Sequence, residues 1–157
     1  MSAVIKYLKR NQKTHLNQLL ELLAIPSIST DAKRKPAMRK AATWMQKRLK
    51  AAGCTKAEIN NTPGHPIVYG EWLGAEGRPT ILVYGHYDVQ PVDPLKLWKI
   101  PPFEPTVRKG KIFARGASDD KGTMLAPILA AEAHLRTGAL PWDRMVAYYR
   151  RRASARE

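Results

Sequence analysis

Thr80-Ile81-Leu82-Val83-Tyr84 is a β-branched and aromatic run, bounded by Pro79 and Gly85 and followed at once by His86-Tyr87-Asp88. A run of that composition between turn formers predicts a buried strand. Side chains two apart on extended backbone leave on the same side, so His86 and Asp88 face one site at the strand's end. An imidazole with a carboxylate beside it is what a metal ligand and its orienting partner require. Further on, Ser118-Asp119-Asp120-Lys121-Gly122 sets two carboxylates just before an apolar helical run. Taken alone, neither piece decides its own role. A His-x-Asp is commonly incidental, and adjacent acids before a helix commonly cap its N-terminus.

Working outward, Leu8, Leu16, Leu19, Leu20 and Leu23 recur at helical spacing and predict one amphipathic helix over about 3–24. His15 has no acidic or Cys neighbour in that helix and reads as a surface or boundary residue. Pro26 ends the helix. A second helix starts between Asp31 and Pro36 and runs to Ala52, with Ala41, Met45 and Leu49 as its apolar stripe and Gly53 as its C-terminal cap. Extended segments follow at about 55–60, 67–73 and 80–84, separated by turn-forming stretches. His65, between Gly64 and Pro66, reads as an exposed loop residue. Trp98, Pro101, Pro102 and Phe103 form a loop folded over the sheet edge. Lys109-Gly110 joins two short strands in a hairpin. Met124, Leu125, Ile128, Leu129, Ala131 and Leu135 predict a buried helix from Asp120 to Thr137, bent at Pro127 and capped by Gly138. His134, late in that helix, suits the negative end of its dipole. Helices, then strands, then a further helix indicate an α/β or α+β layered domain.

The chain of 157 residues suffices for one domain with a core. No apolar run approaches the ~20 residues that cross a bilayer, and no signal peptide is evident. The single cysteine, Cys54, excludes an internal disulfide and suits a reducing cytoplasm. The net charge of +14 is unevenly spread. Residues 1–50 hold twelve Lys/Arg against two acids, 51–140 ten against nine, and 141–157 five against two. The basic excess therefore lies in the first helices and the tail, away from His86 and Asp119. Solvated helix faces account for Lys33-Arg34-Lys35 and Arg39-Lys40, because no aromatic or Gly-rich nucleic-acid motif accompanies them.

The wider pattern is more specific. Tyr84-Gly85-His86-Tyr87-Asp88-Val89-Gln90-Pro91, then Trp98, then Pro102-Phe103-Glu104-Pro105, then Gly110-Lys111-Ile112-Phe113-Ala114-Arg115-Gly116-Ala117-Ser118-Asp119-Asp120-Lys121-Gly122 closely resembles the di-zinc peptidase family of carnosine dipeptidases, aminoacylase, succinyl-diaminopimelate desuccinylase and glutamate carboxypeptidase. The wording of both motifs is most similar to the dipeptidase branch. The resemblance implies an α/β catalytic domain, N-terminal helices packed on a mixed sheet. It implies that His86 binds one Zn2+, that Asp119 bridges two, and that Asp88 is the active-site acid supporting the histidine. Co2+ or Mn2+ are alternative ions. It implies a cis Asp119–Asp120 peptide, a short peptide or N-acyl amino acid as substrate, and a homodimeric parent enzyme. A membrane or nucleic-acid partner is not expected.

After Leu140-Pro141 the pattern breaks. Where the family has a buried strand ending in a Glu pair, one the general base and one a zinc ligand, this chain has Trp142-Asp143-Arg144-Met145-Val146-Ala147-Tyr148-Tyr149-Arg150-Arg151-Arg152 and a short remainder. The reading is of no acidic pair, no clear core strand and an excess of Arg. The expectation is a reading frame cut or shifted near residue 141. Residues 1–141 would be the N-terminal part of a metallopeptidase catalytic domain, and 142–157 a basic tail outside the family pattern. With two of five zinc-binding side chains and no base, the chain alone is expected to lack peptidase activity, and an unpaired sheet edge makes it prone to association. The other readings are a non-catalytic interaction fragment and a basic nucleic-acid binder. The latter requires salt-dependent retention on DNA that is lost when Lys33, Arg34, Lys35, Arg39 and Lys40 are neutralised. The expected outcome is no such retention at physiological salt.

Overall fold

In a computed structural model of the chain, the structure describes residues 1–74, 77, 79–139 and 144–151. The first helical stretch is two helices, α1 (Ala3–Arg10) and α2 (Gln12–Leu23). They are separated at Asn11, where the side-chain amide donates to the Tyr7 carbonyl (2.9 Å) already used by the Asn11 backbone N–H. A short polar side chain that competes for backbone acceptors in this way interrupts a helix. A one-turn 3-10 segment leads into α3 (Lys35–Ala52), which ends on Gly53 in the left-handed conformation (φ 111°). The strands are β1 (Lys56–Asn60), β2 (Ile67–Trp72), β3 (Thr80–His86) and the hairpin pair β4 (Thr106–Arg108) and β5 (Lys111–Phe113). Helix α4 (Lys121–Thr137) carries Pro127 inside it and closes on Gly138; β6 (Arg144–Arg150) follows.

The main sheet has the order β1-β2-β6-β3, with β6 antiparallel to β2 and parallel to β3. This overturns the expectation of no core strand after residue 141. Met145, Ala147 and Tyr149 are buried, while Val146, Tyr148 and Arg150 alternate with them. That is the two-residue period of a strand. The flanking arginines hid it, and the strand is central in the sheet. Residues 140–143, where the domain boundary was drawn, and 152–157 of the basic tail lie outside the described residues.

A second correction concerns β3. It was expected to be buried, yet Leu82 is 68 % exposed and Tyr84 57 % exposed. Among the described strands it pairs on one side alone, with β6, which makes it an edge. Helices α3 and α4 pack on the sheet through Met38, Met45, Leu49, Met124 and Ile128, and α1 and α2 pack on α4.

Three buried charged groups, Arg48, Glu132 and Lys121, tie the helices together. Arg48 of α3 pairs with Glu132 of α4, and the Tyr7 hydroxyl donates to Glu132 Oε1 (3.3 Å). His15 stands 3.9 Å from the same carboxylate, and burial lowers its pKa. So His15 is the boundary residue expected, and the acidic neighbour it has is one that local sequence could not reveal because Glu132 lies on another helix. Lys121 is fully buried; its ammonium donates to the carbonyls of Leu22 (3.0 Å) and Ile25 (2.6 Å), where α2 ends. Burial pushes Lys121 down to about 7.

Removing one member of a buried ion pair leaves the other charge unpaired in a poor solvent. Glu132→Ala should therefore destabilise the chain by about 3–5 kcal/mol in urea unfolding. Burial also pushes the Cys54 thiol up to about 11. As the thiolate is the nucleophile, iodoacetamide at pH 8.5 should alkylate Cys54 at least about a hundredfold more slowly in the native chain than in urea.

Candidate metal centre

Strand β3 delivers His86 at its last position, and the turn after it delivers Asp88. Tyr87 between them is buried, donates its N–H to the Arg150 carbonyl (3.1 Å) and its hydroxyl to the Pro66 carbonyl. This anchoring keeps the alternation, so both flanking side chains turn toward one site. Gly85 lets α4 close against the strand: a Cβ there would lie 2.8 Å from Met124 Cβ. The close approach brings Asp120 Oδ2 to the His86 backbone N–H (3.1 Å). Gly122 is equally constrained, since a Cβ would lie 2.1 Å from the Ala117 carbonyl oxygen. The Asp119–Asp120 peptide between these contacts is cis, as the resemblance implied.

The result is a line of three groups. His86 Nδ1 is 3.1 Å from Asp88 Oδ1 and 3.2 Å from the Asp88 carbonyl, and His86 Nε2 is 3.1 Å from Asp119 Oδ1. Nδ1 faces two oxygens of Asp88 and Nε2 faces the Asp119 carboxylate, so a proton held on Nδ1 by Asp88 would leave Nε2 to ligate a cation placed between it and Asp119. Asp88 is almost fully buried, whereas the Asp119 side chain is 62 % exposed. The Asp88 hydrogen bond raises the His86 pKa; burial of the ring opposes it, and the charges of Asp88 and Asp120 add to it. The sequence placed His86, Asp88 and Asp119 at one site, and the structure brings all three together.

Whether a metal ion fits can be tested on distances. Two donors on a tetrahedral ion with bonds of about 2.0–2.1 Å are about 3.3 Å apart. The 3.1 Å between His86 Nε2 and Asp119 Oδ1 suits such a shared ion. The set is incomplete: among the described residues no group of three or more His, Cys, Asp or Glu side chains could hold a metal. Beside Asp119 opens a cleft of about 640 Å³, lined by Trp98, Phe113, Arg115 and Ser118. Its wall is set by the Arg115 guanidinium, 5.1 Å over the Trp98 ring and donating to the Pro91 carbonyl (2.9 Å). The aromatic loop thus walls a cleft next to the acidic pair.

Other sequence-selected residues lie elsewhere. His134 faces the Ala139 carbonyl past the end of α4. His65, expected in solvent, is half-buried, and its Nε2 donates to the Ser29 carbonyl (2.8 Å). Ser29 itself was missed. Its hydroxyl donates to Asp88 Oδ2 (2.5 Å), a partnership across fifty-nine residues that no local pattern announces.

A profile described as peptidase family M20/M25/M40 matches residues 82–146, from β3 through the acidic pair into β6. The chain resembles the N-terminal part of members of that family. Among relatives, the Cys-Gly metallodipeptidase dug1 of Schizosaccharomyces pombe is 30 % identical over 148 residues, which cover 88 % of this chain and 31 % of the relative. The M20 family metallo-carboxypeptidase Sso-CP2 of Sulfolobus solfataricus superposes with a TM-score of 0.78 at 38 % identity, over 87 % of this chain and 30 % of that one. Human carnosine dipeptidase 1 gives 0.78 at 27 % identity, over 94 % and 33 %. The chain spans about a third of the length of these relatives.

In the metal-free chain, His86 should titrate above its ordinary value, and Asp88→Asn should bring it down, read by histidine NMR across pH. Because the folded-state pKa is raised, the stability that this ion pair contributes is fully present below the unfolded value. It is lost as pH rises through the folded one.

Proposed function

We propose that this chain carries one half of a metal centre for hydrolysis of short peptides or N-acyl amino acids, with His86 and Asp119 as ligands of Zn2+. Co2+ or Mn2+ are alternative ions. The observation that carries the reading is the pair of donors 3.1 Å apart with Asp88 seated behind the ring. A divalent cation at such a place supplies Lewis acidity. The chain's own residues have separate tasks. His86 presents Nε2, Asp88 holds the Nδ1 proton and orients the ring, and Asp119 presents an exposed carboxylate at the mouth of the cleft. Substrate would lie in that cleft, its walls aromatic and aliphatic apart from Arg108, Arg115, Lys99 and the polar Ser118. Cys-Gly is the first substrate to try, given the S. pombe relative.

Among the described residues no further ligand joins the pair, and the Glu pair that the family resemblance calls for after Pro141 has no counterpart in the sequence. The chain by itself is therefore a binder, and catalysis belongs to an assembly that supplies those groups, in the intact enzyme a homodimer. A reduced thiol at Cys54 supports a cytoplasmic setting. No described helix is long and apolar enough to cross a membrane. One observation favours a second reading, an interaction fragment: Ile81, Leu82 and Tyr84 are exposed on the edge strand. Such edges associate unless covered.

The test is zinc titration of the purified chain by calorimetry, with dipeptide hydrolysis assayed in parallel. Binding should appear, fall at least about tenfold in His86→Ala and in Asp119→Ala, and be unaccompanied by cleavage of Cys-Gly. Zinc binding indifferent to both substitutions would refute the site. EDTA-sensitive cleavage by the chain alone would refute its assignment as a binder.

A further inference from the structure

The segment Pro26-Ser27-Ile28-Ser29, between α2 and the 3-10 turn, runs beside the strand end that carries His86 and Asp88, and it is pinned there from several sides. The Ser27 hydroxyl donates to the Tyr87 carbonyl (2.8 Å), and the Val89 N–H donates to the Ser27 carbonyl (2.9 Å). Ile28 and Val89 form a parallel bridge. On one flank His65 Nε2 donates to the Ser29 carbonyl (2.8 Å), and on the other the Lys121 ammonium donates to the Ile25 carbonyl (2.6 Å). Three separate parts of the chain thus fix where Ser29 stands. Ser27 bonds the backbone of the Tyr87–Val89 turn, and the Ser29 hydroxyl reaches the site itself, 2.5 Å from Asp88 Oδ2.

That contact completes a division of labour on one carboxylate. Asp88 Oδ1 faces His86 Nδ1, and Asp88 Oδ2 accepts from Ser29. The terminal torsion of an aspartate is broad and roughly two-fold, so a carboxylate held at one oxygen can swing about it. Held at both, it has one orientation. The imidazole it carries then has one orientation as well, because ring direction and tautomer follow the partner of the non-ligating nitrogen. A hydroxyl donating to a carboxylate is a charge-assisted bond, about twice as strong as a neutral one. Burial of Asp88 strengthens it further, because little water competes.

We infer that Ser29 is a positioning residue for the metal centre: through Asp88 it fixes the tautomer and direction of His86, and the strap held by His65 and Lys121 exists to place it. This inference rests on the metal-site reading for its purpose, but the geometric part stands on the metal-free chain. The two are separable by experiment.

The first measurement is long-range proton–nitrogen NMR of histidine-labelled, metal-free chain at pH 9. Asp119 faces Nε2 and competes for the proton, so the readout is the Nδ1–H fraction of His86: it should fall in Ser29→Ala and return to the native level in Ser29→Thr, which restores the hydroxyl. The second is zinc titration of the same proteins, in which Ser29→Ala should weaken binding about three- to tenfold and Ser29→Thr should not. Circular dichroism should stay near the native spectrum in both, with the melting temperature lowered in Ser29→Ala and restored in Ser29→Thr. Should Ser29→Ala fail to fold, His65→Ala loosens the strap from its far side and should lower the Nδ1–H fraction in the same way. An Nδ1–H fraction unchanged from native in Ser29→Ala, or in His65→Ala where that variant replaces it, overturns the inference. Absence of zinc binding in the native chain overturns the metal reading, while the tautomer result still decides what Ser29 does.

Discussion

The buried carboxylate of Asp88 is the constraint around which this molecule is arranged. A carboxylate nearly sealed from water is costly unless its oxygens are engaged. Here one oxygen meets the imidazole of His86 and the other the hydroxyl of Ser29. Satisfying both brings the end of β3 and the strap after α2 together, and the turn that opens α4 joins them at His86, through Asp119 at the ring and Asp120 at the backbone N–H. The glycines at 85 and 122 are the local cost of that convergence, each at a contact where a side-chain carbon would collide. Lys121 works from below, joining the start of α4 to the end of α2 through two carbonyl groups.

From that constraint the site's asymmetry follows. Asp88 and Asp119 both lie next to His86, one buried and one open to solvent. The buried one fixes the ring and the open one faces outward into the cleft. In the proposed metal site the pair would divide orientation and ligation between the two nitrogens of a single imidazole. The relatives share this part of the fold and extend it to about three times the length.

Much of the layout was legible in the sequence because it rests on local rules. The period of the helices, the glycines that close α3 and α4, the Lys109-Gly110 turn and the strand that ends at His86 all follow from short-range patterns. The motifs around His86 and Asp119 were specific enough to put three residues at one place. What escaped depends on contacts distant along the chain. The Arg48–Glu132 pair, the His65–Ser29 contact and the Ser29–Asp88 bond join residues tens of positions apart. Strand β6 escaped for another reason. Its alternation is regular, but arginines at its ends and a tyrosine pair within it read as a basic tail until the pairing with β2 and β3 is seen. The burial expected for β3 failed because a hydrophobic run reports what a strand could bury, not whether anything lies on its far side.

The central claim, that the ring of His86 and the carboxylate of Asp119 share a cation, is tested most directly by zinc-edge X-ray absorption on the chain with one equivalent of Zn2+. The account expects an imidazole nitrogen together with oxygen donors at about 2.0–2.1 Å, and loss of the imidazole contribution in His86→Ala. A shell of oxygen alone, or an imidazole signal that persists in His86→Ala, would contradict it.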